Sequence, residues 1–285
     1  MTEARSKKNG FAGIAIVTGG GRGLGRAMAL GLLSAGYRVT INDIDDEAIS
    51  DTITAAKSSY GEGRILGVRA DLADSEAAAD LVAQTREKFG GLDVLVNNAG
   101  VGPEIVRPDY LKNPIRIWEI PVDIWCRALA INTCGPFFTA RAAIPNMVAQ
   151  GWGRIINVTT SLDTMIRPGF APYGGSKAAT EAYTAILAGD LEGTGVTANV
   201  LIPGGAANTR LIPADTPIDR DELVQPSRMV APLLWLASNA SDGVTGRRYV
   251  ARFWDDRAPI QQAVDEAGAP IAWPAVERVA DRTQV

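Results

Sequence analysis

GIAIVTGGGRGLG (13–25) sets an apolar, β-branched run directly against a glycine-rich turn. Such a run reads as a short strand buried on both faces, and the residues after it, 24–35, have helical composition. Strand, glycine turn and helix in that order open a βαβ unit. The alternation continues outward from this stretch. YRVTIND (37–43), RILGVRAD (64–71), LDVLVNN (92–98), RIINVT (154–159), VTANVLI (196–202) and RRYVARF (247–253) read as strands. Helical patterns fill 47–58, 75–89, 123–149, 173–191 and 227–237 between them.

Right-handed crossovers turn this alternation into a single α/β domain, a Rossmann-type, doubly wound parallel sheet with helices on both faces. The chain has 285 residues, enough for one large core, and no Ser/Gly- or Pro-rich spacer divides it. The reading is a flexible tail at 1–10, the domain at 11–253, and an extension at 254–285 that packs on the domain or on a neighbouring subunit. A net charge of −4 with scattered basic residues argues against nucleic acid as a partner. The opening MTEARSKKNG has no apolar core of a signal peptide, and no run is long enough to span a bilayer. Cys126 and Cys134 have neither metal nor CxxC spacing, so buried, reduced thiols in a cytoplasmic protein are expected. With no histidine, a zinc site is not expected.

The glycine turn has its own chemistry. Gly19, Gly23 and Gly25 remove side chains where a backbone can approach a pyrophosphate at a helix N-terminus. A bare glycine turn is often only a tight connection; its place after the first strand favours the dinucleotide. Asp43, ending the second strand, can accept hydrogen bonds from ribose hydroxyls and would repel a 2′-phosphate, which favours NAD over NADP. Its alternative is a helix N-terminal acid, shared with Asp45, Asp46 and Glu47. Arg22 pulls towards NADP, and the position of Asp43 outweighs it. Asp71, closing the third strand, can bind an adenine amino group or cap the next turn. In NNAG (97–100) the asparagines can cap backbone, and Gly100 permits close approach to a ligand.

A second cluster lies in VTTSLDTMIRPGFAPYGGSK (158–177). Tyr173 and Lys177 are one helical turn apart on one face. A free phenol, with a pKa of ~10, is a poor base at neutral pH, and a neighbouring ammonium favours the phenolate. A hydroxyl beside it can bind an alcohol or carbonyl oxygen as charge develops there. A surface tyrosine and a solvated lysine are the bland alternative.

Taken together, these motifs resemble the short-chain dehydrogenase/reductase family. TGGGRGLG (18–25), Asp71, NNAG (97–100), Asn132 in INTCGPF, the Thr160/Ser161 pair, YGGSK (173–177) and IPGG (202–205) stand in the family's order. The resemblance implies an NAD-dependent enzyme interconverting a secondary alcohol and a ketone, acting as a homodimer or homotetramer. It implies Tyr173 as general acid/base, Lys177 lowering its pKa and holding the nicotinamide ribose, and Asn132 supporting a water relay. It also implies cofactor contacts at Gly19, Arg22, Gly23, Leu24, Gly25, Asp43, Asp71, Leu72, Asn98, Ala99, Gly100, Tyr173, Lys177, Pro203 and Gly204. The family's serine spacing falls on Thr160, whereas a serine stands at Ser161; Ser161 is preferred because the Gly/Pro-rich loop 167–172 can absorb one residue. The threonine usual after the PG turn is displaced, with Asn208 at its spacing and Thr209 one later. The segment 101–131 looks longer than usual, and the extra tryptophans, Trp118, Trp254 and Trp273, either line an apolar pocket or pack the tail, with packing favoured. The rivals are the same reaction with NADP and a dinucleotide-binding regulatory protein without turnover.

Overall fold

The computed structural model describes residues 12–213 and 215–273. The expected tail at 1–10 and the end of the extension, 274–285, lie outside them. Seven parallel strands run β1 (Gly13–Thr18), β2 (Tyr37–Asp43), β3 (Ile65–Arg69), β4 (Val94–Asn97), β5 (Gly153–Val158), β6 (Val196–Ile202) and β7 (Arg247–Val250). Their order in the sheet is β3-β2-β1-β4-β5-β6-β7, and a short β8 (Gly268–Pro270) adds antiparallel to β7. The order reverses between β1 and β4, which opens a crevice beyond their C-terminal ends.

Alternate residues of one strand feed two cores. Ala15 and Val17 of β1 pack with helices α1 (Gly23–Ser34) and α8 (Val230–Leu236). Ile16 packs with α3 (Ser75–Phe89), α5 (Gly135–Ala149) and α7 (Tyr173–Asp190) on the other face. That is why the strands read as continuous apolar runs rather than alternating ones. Asp45 caps α2 (Asp46–Tyr60) by accepting from the Ala48 N–H at 3.1 Å. Gly90, left-handed at φ 87°, ends α3.

Four expectations change. The helix expected over 123–149 is α4 (Val122–Leu129) and α5 joined by one π-helical turn, Ala130–Cys134, centred on Asn132. The last strand stops at Val250, and Ala251–Phe253 forms a 3-10 turn. Nor does the sheet end at Phe253: α9 (Ile260–Ala267) returns the chain to form β8, and Trp254 is buried against Trp235, ring centroids 5.7 Å apart. Packing is therefore the role of Trp254, while Trp118 is exposed. The cysteines are also corrected: Cys126 is exposed, because α4 buries only Ala128, and Cys134, in the π turn that buries Asn132, is half-buried. The short α6 (Leu162–Met165) follows β5 and precedes the loop to α7.

Candidate active site

The glycine turn and NNAG meet across the crevice. Gly19 and Gly23 adopt φ of 61° and 51°, conformations that other residues resist. A Cβ on Gly25 would stand 2.0 Å from the Gly19 carbonyl oxygen, so the helix could not seat on its turn. Asn98 locks this contact: its Nδ2 donates to the carbonyls of Thr18 at 2.9 Å and Gly19 at 3.2 Å. The Thr18 hydroxyl accepts from the Asn98 and Ala99 N–H groups at 2.9 and 3.0 Å. Asn98 is thus a scaffold for the turn.

No side chain caps α1, and no acidic residue stands in its first turn. Its free N–H groups and positive dipole end, reached through side-chain-free backbone, fit the pyrophosphate of a dinucleotide. Around it the carboxylates are already in use. Asp43 Oδ2 accepts from the Gly21 N–H at 3.2 Å, and Oδ1 from Ile44 at 2.9 Å and Asp45 at 3.3 Å. Asp43 therefore orders both the glycine turn and the next bend, while Asp45 is the true helix cap. Arg22 is ion-paired with Asp45. The Ala48 N–H and Arg22 hold the Asp45 carboxyl below its usual range.

Asp71 accepts from Arg127 at 2.6 Å and from the Ala73 N–H at 3.1 Å. Burial would raise its pKa, and these two donors outweigh it, leaving a net lowering. Leu72 next to it is buried. Gly204 is left-handed at φ 87°, and the Pro203 carbonyl accepts from Arg252 at 3.1 Å. Asn208 Nδ2 is committed to Gln225 at 3.1 Å. The methyl of Thr209 instead lies 3.2 Å from where a Gly23 Cβ would be, so Thr209 faces the glycine turn.

The second cluster gathers at the ends of β4 and β5 and the start of α7. Lys177 is buried, and its Nζ donates to the Val158 carbonyl at 2.9 Å. A Cβ on Gly100 would stand 3.0 Å from Asn132 Oδ1 and 3.2 Å from Lys177 Nζ, so a side chain there would crowd both. Asn132 is fully buried and fully used. Its Oδ1 accepts from the Val101 N–H at 2.8 Å, and its Nδ2 donates to the Val101 carbonyl at 2.8 Å and to Ser176 Oγ at 2.9 Å. Its carbonyl, displaced by the π turn, accepts from Thr180 at 2.8 Å. A buried amide with its groups satisfied ties the end of β4 to the first turn of α7.

The hydroxyls separate cleanly. Thr159 donates to Glu181 at 2.8 Å and faces the interior. Ser161 is spent as the N-cap of α6, accepting from the Thr164 N–H at 3.3 Å and sharing a 2.7 Å hydrogen bond with the Thr164 hydroxyl. Of the three, only the Thr160 hydroxyl bears on the Tyr173 phenol, drawing its pKa down. Burial nonetheless pushes that phenol up to about 12, Thr160 opposing it, and the charge of Glu104 adds a further upward push. The lowering expected from Lys177 does not prevail. Burial pulls the lysine itself down to about 8, and its Nζ is turned to the Val158 carbonyl.

The profile of the short chain dehydrogenase family matches residues 13–216. The chain belongs to that family. A 3-oxoacyl-[acyl-carrier-protein] reductase of Synechocystis sp. is 31% identical over 242 residues, covering 83% of this chain and 94% of its own. An NADPH-dependent aldehyde reductase-like protein of Arabidopsis thaliana is 31% identical over 252 residues, 82% of this chain and 90% of its own. A solved structure described as a gluconate dehydrogenase from Agrobacterium tumefaciens superposes with a TM-score of 0.73 at 28% identity, over 85% of this chain and 94% of that one. This short-chain dehydrogenase is accordingly an oxidoreductase of a family that binds a nicotinamide dinucleotide, and no helix among its described residues is long and apolar enough to cross a membrane.

Several residues of this short-chain dehydrogenase escaped the sequence reading. Thr18 and Ser176 are small hydroxyls with no spacing signal. Glu181 stands one turn beyond Lys177, which could have flagged it. Its partner Arg248 is 67 residues further on, and nothing local links them. Glu104 sits in the long segment after NNAG with its Oε1 on the Gly102 N–H at 2.9 Å.

Proposed function

We propose that the chain interconverts a secondary alcohol and a ketone with NAD(H), using Tyr173 as the proton-transferring group. The observation that carries the reading is Tyr173 at the start of α7, one helical turn from buried Lys177, whose Nζ lies at the end of β5 against Gly100. When bound, the nicotinamide gives or accepts the hydride. Thr160 holds the substrate oxygen next to the phenol, a role taken over from Ser161, whose oxygen is engaged at the α6 cap. Tyr173, kept protonated by its burial, is ready to donate to a carbonyl oxygen as it becomes an alkoxide. In the oxidative direction the phenol must first lose its proton, and the Thr160 hydroxyl favours that loss. Lys177 holds ribose and Asn132 positions the end of β4 against α7.

NAD rather than NADP is supported by Asp43 at the end of β2 and by the capture of Arg22 by Asp45, which leaves that cation committed. Glycines 19, 23 and 25, with Leu24, Ala99, Pro203 and Gly204 at the crevice rim, would border the dinucleotide, and Asp71 its adenine. A cytoplasmic homo-oligomer is part of the same reading. Phe137 on α5 and Ile186 on α7 are exposed apolar residues suited to a subunit contact between like helices. The test is turnover of a panel of secondary alcohols and ketones with each nicotinamide cofactor, by wild type and Tyr173→Phe. Loss of turnover in the variant with retained cofactor binding is expected; unchanged turnover refutes the reading.

A further inference from the structure

Two buried charges stand beside the candidate reaction centre and take no part in the reading above. Glu181 on α7 and Arg248 on β7 are both buried, with Arg248 Nη1 3.6 Å from Glu181 Oε1. Burying an ion pair removes two charges from water, and apolar residues of similar volume often serve stability as well or better. What the pair touches gives it another use.

Both side chains grip the chain as it leaves β5. The register of β5 with β4 ends at Asn157 and with β6 at Val158, so the backbone beyond has no neighbouring strand to bond. Three consecutive residues there are held by three charged side chains. The Val158 carbonyl accepts from Lys177 Nζ at 2.9 Å, the Thr159 hydroxyl donates to Glu181 Oε2 at 2.8 Å, and the Thr160 carbonyl accepts from Arg248 Nη2 at 3.0 Å. Lys177 and Glu181 stand one turn apart on one face of α7. Ser161, the next residue, already caps α6. Glu181 and Arg248 therefore hold residues 159 and 160 between the carbonyl that seats Lys177 and the start of α6.

The extension closes the far side of this cluster. Glu181 Oε1 also accepts from the Ala272 N–H at 3.3 Å. Ala272 has a φ of 59°, and among the described residues it is the one non-glycine residue in that left-handed region. It follows β8, which pairs Ala269 with Arg248 itself. The segment after Phe253 thus completes a buried clamp on the strand end.

We propose that Arg248 and Glu181 are positioning residues for the reaction, holding the end of β5 so that Lys177 Nζ and the Thr160 hydroxyl keep their places about Tyr173. The inference rests on the alcohol–ketone reading above. Neither charge touches the reacting atoms; each acts through residues 158–160. A misplacement of about 1 Å in a reacting constellation costs roughly a hundredfold in rate, so slack at this strand end is read in kcat.

The test is a steady-state comparison of wild type, the double variant Glu181→Leu/Arg248→Met and Arg248→Lys, using the alcohol and the ketone of the panel above that wild type turns over fastest. The double variant strands no charge and should stay folded, yet it leaves the Thr159 hydroxyl and the Thr160 carbonyl without their holders. Its kcat should fall by roughly tenfold to a hundredfold while KM moves by less than about threefold, at a melting temperature near that of wild type. A role confined to stability predicts instead that kcat returns with the melting temperature, and a double variant within about twofold of the wild-type kcat overturns the inference. Should the double variant fail to fold, Arg248→Lys decides. Lysine keeps a charge facing Glu181 but lacks the planar fork that reaches the Thr160 carbonyl at the same time. Its kcat should drop several-fold at little-changed KM, and an unchanged kcat overturns the inference. If Tyr173→Phe stays active, the alcohol–ketone reading itself fails; if it is inactive while the charge variants turn over at the wild-type rate, only this inference fails.

Discussion

Removing the charge of Glu181 should damage the protein far from any surface. Glu181 Oε2 accepts from Thr159 at 2.8 Å, and Oε1 lies 3.6 Å from Arg248 Nη1 and 3.3 Å from the Ala272 N–H. The two side chains are 0% and 6% exposed, so water cannot take the place of a lost partner. Arg248 Nη2 donates to the Thr160 carbonyl at 3.0 Å, and its Nε has no partner among the described residues. Glu181→Gln keeps the shape and leaves Arg248 as a buried, uncompensated cation. Breaking such a pair costs about 3 to 5 kcal/mol, and the 3.6 Å separation with the surviving Thr160 bond argues for the lower end, about 3 kcal/mol. That corresponds to a fall in Tm of roughly 6 to 12 °C for a chain of this size. Urea unfolding of wild type, Glu181→Gln, Arg248→Met and the double variant Glu181→Leu/Arg248→Met measures it. The double variant should lie closer to wild type than either charge-breaking single variant, because neither charge is then stranded. A Glu181→Gln loss below about 1 kcal/mol would refute the view that this ion pair is desolvated.

Thr160→Val should lower kcat/KM by roughly a hundredfold, the usual scale for one donor at a developing charge, and raise the Tyr173 pKa further, seen by ultraviolet titration against Tyr173→Phe. Ser161→Ala should instead cost about 1 kcal/mol of stability through the lost α6 cap, with a much smaller kinetic effect; the opposite ranking would restore Ser161 as the substrate-orienting group. Lys177 has a folded pKa of about 8 against 10.5 for the free group, so the unfolded chain binds the extra proton between those values. Its burial penalty is complete below pH 8 and fades as pH rises to 10.5, so wild type should gain up to about 3 kcal/mol relative to Lys177→Met across that window in paired urea melts. A flat difference would show that Lys177 is not desolvated. Asp45→Asn retains an α2 cap while releasing Arg22, and should shift the NADPH/NADH ratio of kcat/KM towards NADPH by roughly tenfold. An unmoved ratio would remove Arg22 from the cofactor argument.

Much of this molecule is local and therefore legible in the chain. Strands β1 to β6 appear as apolar runs because both faces of the sheet are covered, and the glycines at 19, 23 and 25 announce a turn that tolerates no side chain. Tyr173 and Lys177 sit one helical turn apart in any α-helix, so their pairing needed no coordinates. What depends on path and burial was not legible. Ser161 and Thr160 differ by one residue in sequence, and only the direction of the chain leaving β5 turns one into a helix cap and the other towards the phenol. The π turn that frees the Asn132 carbonyl is a property of packing against Thr180, with no composition of its own. The expectation that Lys177 lowers the Tyr173 pKa considered two neighbours, whereas the phenol responds to every group that excludes water from it. Spacing along the chain determined which functional groups this protein owns. Only the tertiary structure decided which of them are spent on holding the fold and which remain for chemistry, because burial and hydrogen-bond partnership are sums over residues far apart in sequence.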